Sequence, residues 1–144
     1  MRTARWTALA VVLGLAAAGC GGGAETTVDV TLREFSVEPA QASAPAGTVT
    51  FQIRNEGPND AHEFVVIRTD LAPDQLPTDD RGVVQEDAPG IDVVDEVEEI
   101  PVGGSATLSV DLDAGSYVLI CNIYDEEEQE AHYSQGMRTA FTVE

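Results

Sequence analysis

The chain has 144 residues, of which 26 are acidic and 7 basic, and its formal net charge is −19 at pH 7. This excess of negative charge argues against nucleic acid or anionic lipid as a direct binding partner, because both are themselves negatively charged. It fits a cationic partner or simple solubility.

A basic and then apolar segment begins the sequence. Arg2 and Arg5 precede an apolar run from Ala8 to Ala18, which is much shorter than the ~20 residues that a helix needs to cross a bilayer. A basic start and a small-residue end are typical of an export signal. We therefore expect residues 1–19 to be a signal peptide.

A cysteine directly follows this segment. Ala17-Ala18-Gly19-Cys20 resembles the lipobox of bacterial lipoproteins, in which the signal is cut before a cysteine that then carries lipid. Residues 20–26 would then be the lipidated Cys20 and a flexible, glycine-rich tether. An ordinary signal peptide and an uncleaved anchor are the alternatives. Lipidation would anchor an exported protein to the outer face of the cytoplasmic membrane, in the periplasm or at the cell surface.

The remaining residues, 27–144, are enough for one domain with its own core. Apolar and polar residues alternate at several points, which is typical of strands with one face on a core. The strands predicted in this way are Val28–Leu32 with a continuation to Val37, Val49–Ile53, Glu63–Ile67, Leu108–Leu112, Tyr117–Cys121 and Thr139–Val143. Clusters of turn-forming residues separate them.

The segment from 69 to 101 does not follow this alternation. It contains Pro73, Pro77, Pro89 and eleven acidic residues, so much of it is expected to be a surface excursion. Val93, Val97 and Ile100 would share one face of a helix, but so short a segment is also compatible with an extended end. Both interpretations stay open. About seven short strands and little convincing helix together predict an all-β fold, a β-sandwich with Greek-key connections.

Four side chains after the signal segment form a candidate metal site. Apart from Cys20 and Met1, the chain has one cysteine (Cys121), two histidines (His62 and His132) and one methionine (Met137). Two imidazoles and a thiolate in a plane, with a weak thioether on the axis, is the ligand set of mononuclear type 1 copper. Structural zinc usually takes four strong Cys or His ligands, and only three are present.

The single cysteine of the domain supports the same interpretation. In an exported protein the normal fate of cysteines is a disulfide, but a lipidated Cys20 would leave Cys121 without a partner. An exposed free thiol would be open to oxidation. Ligation of a metal at a buried position would protect it.

Motifs around these residues resemble those of the cupredoxins, or blue copper proteins. They are Asn55-x-Gly57 followed by His62-Glu63-Phe64, then Gly115-x-Tyr117-x-x-x-Cys121, then His132-x-x-x-x-Met137. The resemblance covers nearly all of residues 27–144. It implies a copper-binding β-sandwich that carries electrons, with copper ligands at His62, Cys121, His132 and Met137, and with His132 near the surface as the exit for the electron.

The sequence departs from the cupredoxin pattern at two points. Ten residues separate Cys121 from His132, where the family more often has two to four, so the loop that carries both ligands is longer than usual. In addition, Glu63 stands where many members have an asparagine beside the first histidine. A hydrogen bond that usually fixes the ligand loop is therefore expected to be missing.

Three functions are compatible with these features. The first is a membrane-tethered electron carrier, expected to be a monomer, whose acidic surface would attract a basic redox protein. The second is a copper storage or delivery protein, which the wide ligand loop would favour. The third is a metal-free, cupredoxin-like binding module. We do not expect an enzyme, since copper oxidases and reductases need further histidines for a second metal and none is left.

Overall fold

The computed structural model describes residues 23–144, and the predicted signal peptide and Cys20 lie outside this range. The described residues form strands β1 to β11 and one short helix, α1. Their bounds are β1 Ala24–Arg33, β2 Ser36–Pro39, β3 Ser43–Ala44, β4 Gly47–Asn55, β5 His62–Arg68, β6 Asp92–Ile100, β7 Ser105–Leu112, β8 Gly115–Ile120, β9 Tyr124–Asp125, β10 Glu130–Ala131, α1 His132–Gln135 and β11 Arg138–Val143. Between residues 23 and 144, no helix is both long and apolar enough to cross a membrane.

The strands form two main sheets. One has the order β2-β1-β4-β7, and the other has the order β3-β11-β8-β5-β6. Neighbouring strands are antiparallel except for β1 with β4 and β3 with β11, which are parallel. The predicted all-β sandwich is confirmed, with more strands than the expected seven. The additional ones are mostly pieces of two to four residues, which are too short to show an alternating pattern.

The core lies between the two sheets and follows the predicted alternation. On β1, Val28, Val30 and Leu32 are at most 1% exposed, while Asp29 between them faces solvent. Each fully buried side chain of this kind contributes roughly 1.5–3 kcal/mol relative to an exposed one. Phe51 is completely buried, and its ring contacts two aromatic rings of the opposite sheet, that of Phe64 in a tilted and that of Phe141 in an edge-on arrangement.

Strand β1 begins at Ala24, within the segment predicted to be a tether. Its first residues already pair in parallel with β4, where Ala24 lies opposite Gly47 and Glu25 opposite Thr48. The sheet thus takes up the last three residues of that segment. What precedes Gly23 lies outside the described residues.

The acidic segment after β5 is an excursion over the outer face of the second sheet, and it ends in strand β6. Leu76 and Val84 are buried there in a second apolar cluster with Ile67, Ile120 and Tyr133. Val93, Val97 and Ile100 belong to β6, which pairs with β5. Of the two interpretations of these three residues, the extended one is correct.

Candidate metal centre

Cys121 comes directly after β8, at one rim of the sandwich, and its side chain is completely buried. Its N–H donates a 3.1 Å hydrogen bond to the carbonyl oxygen of Met137, which ties the end of β8 to the start of β11. The Sγ atom accepts a 3.4 Å hydrogen bond from the N–H of Glu63. Both the backbone and the sulfur of Cys121 are thereby fixed.

The two histidines meet Cys121 at this rim. His62 is the first residue of β5 and His132 the first residue of α1, and both rings are buried. Their Nδ1 atoms are 3.2 Å apart. The Sγ atom of Cys121 lies 3.9 Å from Nδ1 of His62 and 3.4 Å from Nδ1 of His132. Three donor atoms from distant parts of the sequence thus converge on one point.

These distances fit a shared metal ion. Bonds of about 2.0 Å to imidazole nitrogen and about 2.3 Å to thiolate sulfur place ligand atoms of one metal roughly 3–4 Å from one another. All three distances fall in that range. All three side chains are buried, and each offers one ligand atom to the same point. Two imidazoles and one thiolate suit copper, which accepts soft and nitrogen ligands together.

Met137 lies beside this group. Its side chain is completely buried and belongs to the same core cluster as Cys121. Its N–H donates a 3.0 Å hydrogen bond to the carbonyl oxygen of His132, while its own carbonyl oxygen accepts from Cys121. The backbone of Met137 is therefore bonded to two of the three converging residues.

Burial shifts the pKa of all three donor groups in the metal-free protein. It raises the pKa of the Cys121 thiol to about 12, since a thiolate without a metal would be poorly solvated there. Burial also lowers the pKa of His62 and of His132, and for His62 the neighbouring His132 adds to the effect. Near neutral pH the site thus offers two neutral imidazoles and a protonated thiol.

The long segment between Cys121 and His132 forms a compact hairpin. Strands β9 and β10 pair antiparallel, with Ala131 opposite Tyr124. The N–H of His132 then donates a 2.9 Å hydrogen bond to the carbonyl oxygen of Ile123. The ten intervening residues thus leave and return at almost the same place, so that His132 reaches Cys121 despite the unusual spacing.

Glu63 makes the contact that its side chain was expected to lack. Its Oε1 atom accepts a 2.7 Å hydrogen bond from the N–H of Asn122, the residue after Cys121. A carboxylate oxygen therefore links the loop of the first histidine to the loop of the cysteine. Burial raises the pKa of Glu63 to about 7, with nearby Glu86 and other acidic residues adding to the effect.

The loop before His62 is shaped by Asn55 and Gly57. The Nδ2 atom of Asn55 donates to the carbonyl oxygens of Asp60 and Ile100, and its Oδ1 atom accepts from the N–H of Gly57. Gly57 has φ +59°, and a Cβ atom there would come within 2.9 Å of Val102. The Asn-x-Gly motif noted in the sequence therefore serves to position the first histidine.

Three carboxylate groups near the histidines were not identified from the sequence. Glu34 lies 3.7 Å from Nε2 of His62. Asp60 and Asp125 have carboxylate oxygens within 4.8 Å of a ring nitrogen of His132. Asp60 and Asp125 line a surface cavity of about 610 Å³ together with Glu99 and Glu126. Nothing in the local sequence distinguishes these residues among 26 acidic ones, because only the fold brings them to the rim.

Comparisons with known proteins bear on the fold. No protein-family model matches the chain, and no curated protein matches it in sequence. Among solved structures, dithionite-reduced auracyanin from Roseiflexus castenholzii is 20% identical, with a TM-score of 0.55 over 86% of this chain and 99% of that one. Auracyanin A, a "blue" copper protein from Chloroflexus aurantiacus, is 14% identical, with a TM-score of 0.53 over 84% of this chain and 100% of that one.

Rusticyanin from Thiobacillus ferrooxidans is 19% identical, with a TM-score of 0.56 over 82% of this chain and 77% of that one. Each of these alignments covers more than four fifths of the chain. At identities this low, the structural similarity establishes the fold alone. The chain therefore has the cupredoxin fold, as its motifs predicted.

Proposed function

We propose that this protein is a type 1 copper protein that carries single electrons. The observation that carries the proposal is the convergence of Cys121, His62 and His132, whose donor atoms are 3.2–3.9 Å apart in a buried site. Met137 is proposed as the fourth, weak ligand. The likeness in fold to auracyanin A, a "blue" copper protein, supports the choice of copper.

The surroundings of the site suit electron transfer. When bound, copper would supply a one-electron exchange between Cu(II) and Cu(I). Cys121 would hold it as the thiolate, after giving up its proton, while His62 and His132 would hold it as neutral imidazoles without losing one. The hydrogen bonds of Glu63 to Cys121 and Asn122 hold the ligand loops together. A site held in this way keeps one geometry, so little rearrangement accompanies the change of charge.

We further propose that the electron leaves through His132 to a basic redox protein. His132 lines the surface cavity at the rim, where four acidic side chains surround it. A low-dielectric cleft with one sign of charge attracts partners of the opposite sign. The acidic residues of the cavity are Asp60, Glu99, Asp125 and Glu126.

The location of the protein is proposed from the sequence. The basic and apolar residues 1–19 and the lipobox-like residues before Cys20 support export and anchoring to the outer face of the cytoplasmic membrane. A domain whose first strand starts at Ala24 would be held close to that surface. We propose that it acts there as a monomeric carrier rather than as an enzyme.

Copper storage or delivery is the second candidate function. A storage protein benefits from a loop that opens to release the metal. Here the segment between Cys121 and His132 is closed by the β9–β10 hairpin and by the hydrogen bond from His132 to Ile123. A closed ligand loop favours electron transfer over release.

The test is to add Cu(II) to purified residues 23–144. We expect an intense visible absorption from thiolate-to-copper charge transfer, at one copper per chain. Cys121→Ser should abolish this band and His132→Ala should weaken or shift it, while Asn59→Ala, a change at the surface of the same rim, should leave it in place. A band that is absent from the unmodified protein, or unchanged in His132→Ala, would contradict the proposed ligand set.

A second measurement separates the two candidate functions. An electron carrier should exchange electrons rapidly between its Cu(I) and Cu(II) forms, which NMR line broadening in a mixture of the two forms detects. A storage protein should bind Cu(I) tightly but exchange electrons slowly. Slow exchange together with an intact visible band would favour storage or delivery.

A further inference from the structure

A buried carboxylate lies behind one of the two converging histidines. Glu34 follows β1, and its side chain is 8% exposed. Its Oε1 atom lies 3.7 Å from Nε2 of His62, on the side of the ring opposite to the Nδ1 atom that faces Cys121. Nε2 of His62 and Oε2 of Glu34 are both buried, and neither has a hydrogen-bonding partner among the described residues. The Glu34 carboxylate and the His62 imidazole are therefore close enough to interact electrostatically, at a distance somewhat longer than a direct hydrogen bond.

The position of Glu34 is fixed by the backbone. Its Oε1 atom accepts hydrogen bonds from the N–H groups of Asn59 (3.0 Å) and Asp60 (2.5 Å), in the loop that leads to His62. Hydrogen bonds donated by backbone N–H groups favour the charged form of a carboxylate. The carboxylate is thus held in its charged form beside the imidazole.

A carboxylate in this place determines which nitrogen of the ring carries the proton. An acceptor near Nε2 favours the tautomer with the proton on Nε2, and leaves the lone pair of Nδ1 free. In the metal-free protein, Nδ1 of His132 would then donate to Nδ1 of His62 across the 3.2 Å that separates them. Both rings would be ordered before any metal binds.

We propose that Glu34 is a positioning residue of the metal centre, which holds His62 as the Nε2–H tautomer and stabilises Cu(II) relative to Cu(I) through its negative charge. The inference rests on the proposed copper site. It adds to that site a residue that is not a ligand. Its effect on the metal is a lower reduction potential, because the more positive oxidation state gains more from a nearby negative charge.

The decisive variant is Glu34→Gln. Glutamine keeps an oxygen that can accept from Asn59 and Asp60, so the loop is retained while the charge is lost. In the copper-loaded protein at constant pH, we expect the Cu(II)/Cu(I) equilibrium to shift toward Cu(I) by roughly tenfold, which is about 59 mV for one electron. Glu34→Asp, which keeps the charge, should restore most of the original potential.

The matched control is Glu38→Gln, which removes one exposed carboxylate from the neighbouring strand β2. It changes the net charge equally but lies in solvent, where its effect on the potential should be small. A shift in Glu34→Gln no larger than in this control would overturn the proposal.

A measurement without copper tests the tautomer independently. Long-range ¹H–¹⁵N spectra of the metal-free protein should show His62 as the Nε2–H tautomer, and Glu34→Gln should add a measurable fraction of the Nδ1–H form. An unmodified protein with His62 in the Nδ1–H form would overturn the proposal, even if the copper site is correct. Conversely, the proposed function fails if copper gives no visible band. The tautomer of His62 in the metal-free protein would still show whether Glu34 orients that ring.

Discussion

The thiol of Cys121 sets the pH dependence of metal binding, because it is the one donor that must lose a proton. Its pKa is raised to about 12 by burial, whereas burial lowers the pKa of both His62 and His132. Near pH 7.5 the metal-free site therefore carries one proton that a metal must displace. The histidines have none to lose until the pH falls toward their lowered pKa values.

We expect the binding of one Cu(II) at pH 7.5 to release about one proton, so that the apparent affinity increases about tenfold per pH unit. At acidic pH the dependence should steepen, since protons then compete for the imidazoles as well. Calorimetric titrations in buffers with different ionisation enthalpies measure the number of protons released. Cys121→Ser should release close to none. Release of two or more protons at pH 7.5 would show that the histidines are charged in the metal-free protein.

Glu63 should make the stability of the metal-free domain depend on pH. Its pKa rises from 4.5 to about 7 on folding, so the folded state binds the proton more tightly than the unfolded state. The free energy of unfolding therefore falls as the pH rises from about 4.5 to 7, by an amount on the order of 3 kcal/mol for this group. Above pH 7 the loss is complete.

Glu63→Gln keeps an oxygen that can accept from Asn122 but cannot ionise. We expect its free energy of unfolding, measured by urea titration of the metal-free protein, to exceed that of the unmodified domain at pH 8 and to match it near pH 4.5. Glu128→Gln, which alters an exposed hairpin residue, serves as the control. Equal pH dependence in all three proteins would show that Glu63 ionises normally in the folded state.

At the scale of single residues, the sequence predicted the proposed metal ligands but not the residues that contact them. Cysteine, histidine and methionine are rare in the chain, so their order and spacing carried the prediction of His62, Cys121, His132 and Met137. Glu34 is one of 26 acidic residues, and only the pairing of the sheets brings it to the rim. A hydrogen bond to Asn122 by Glu63 was likewise unexpected, because a carboxylate replaces the usual amide there.

At the scale of elements, an amide side chain and a tyrosine hold the segment between β5 and β6 against the sheet. Asn122 accepts a 2.7 Å hydrogen bond from the N–H of Val84 and donates to the carbonyl oxygen of Val84 and to Glu86. Tyr133 anchors the start of the same segment, since its hydroxyl accepts from the N–H of Leu76 and donates to the carbonyl of Pro73. Residues next to two proposed ligands thus hold the excursion against the sheet.

These contacts explain why the sequence predicted this region poorly. Prolines and acidic residues indicated a loop, which is correct for most of residues 69–91. The alternation that would identify β6 is interrupted, because the pairing of β5 with β6 shifts register twice. The burial of Leu76 and Val84 depends on contacts with residues more than thirty positions later, which no local pattern records.

Asn122→Ala should loosen the excursion. We expect it to lower the free energy of unfolding by about 1–3 kcal/mol, the cost of leaving buried backbone groups of Val84 unpaired. Hydrogen exchange should show the amide of Val84 exchanging faster, while the amide of Val66 in the central part of β5 is unchanged. Asn59→Ala, at the exposed rim, is the matched control. Unchanged exchange at Val84 would mean that apolar packing alone holds the segment.

At the scale of the whole molecule, acidic side chains far outnumber basic ones. Residues 23–144 carry 5 basic and 26 acidic side chains, a net charge of −21. Four of the five arginines already contact carboxylates: Arg33, Arg54, Arg68 and Arg81. The fifth, Arg138, lies over the ring of Tyr133. Pairs this exposed stabilise the fold by no more than about 1 kcal/mol each, so the main effect of the charge is on what approaches the surface.

The charge and the position of His132 together predict how electron transfer depends on salt. The cavity around His132 is lined by acidic residues, so a cationic partner should be attracted to the rim where the electron is expected to leave. With a small cationic oxidant as the probe, the rate for the copper-loaded protein should fall as ionic strength rises from about 0.01 to 0.15 M, because the screening length shrinks from about 30 to 8 Å. With an anionic oxidant the rate should rise over the same range.

Local and global effects of this charge can be separated by two variants with equal net charge. Asp60→Asn with Asp125→Asn removes two carboxylates beside His132, whereas Asp29→Asn with Asp111→Asn removes two from the surface of the other sheet. We expect stopped-flow rates with the cationic oxidant to fall more for the first pair than for the second, with the difference vanishing at high salt. Equal rates would indicate that the oxidant responds only to total charge. A larger loss from the second pair would place the exit for the electron on the opposite sheet, away from His132.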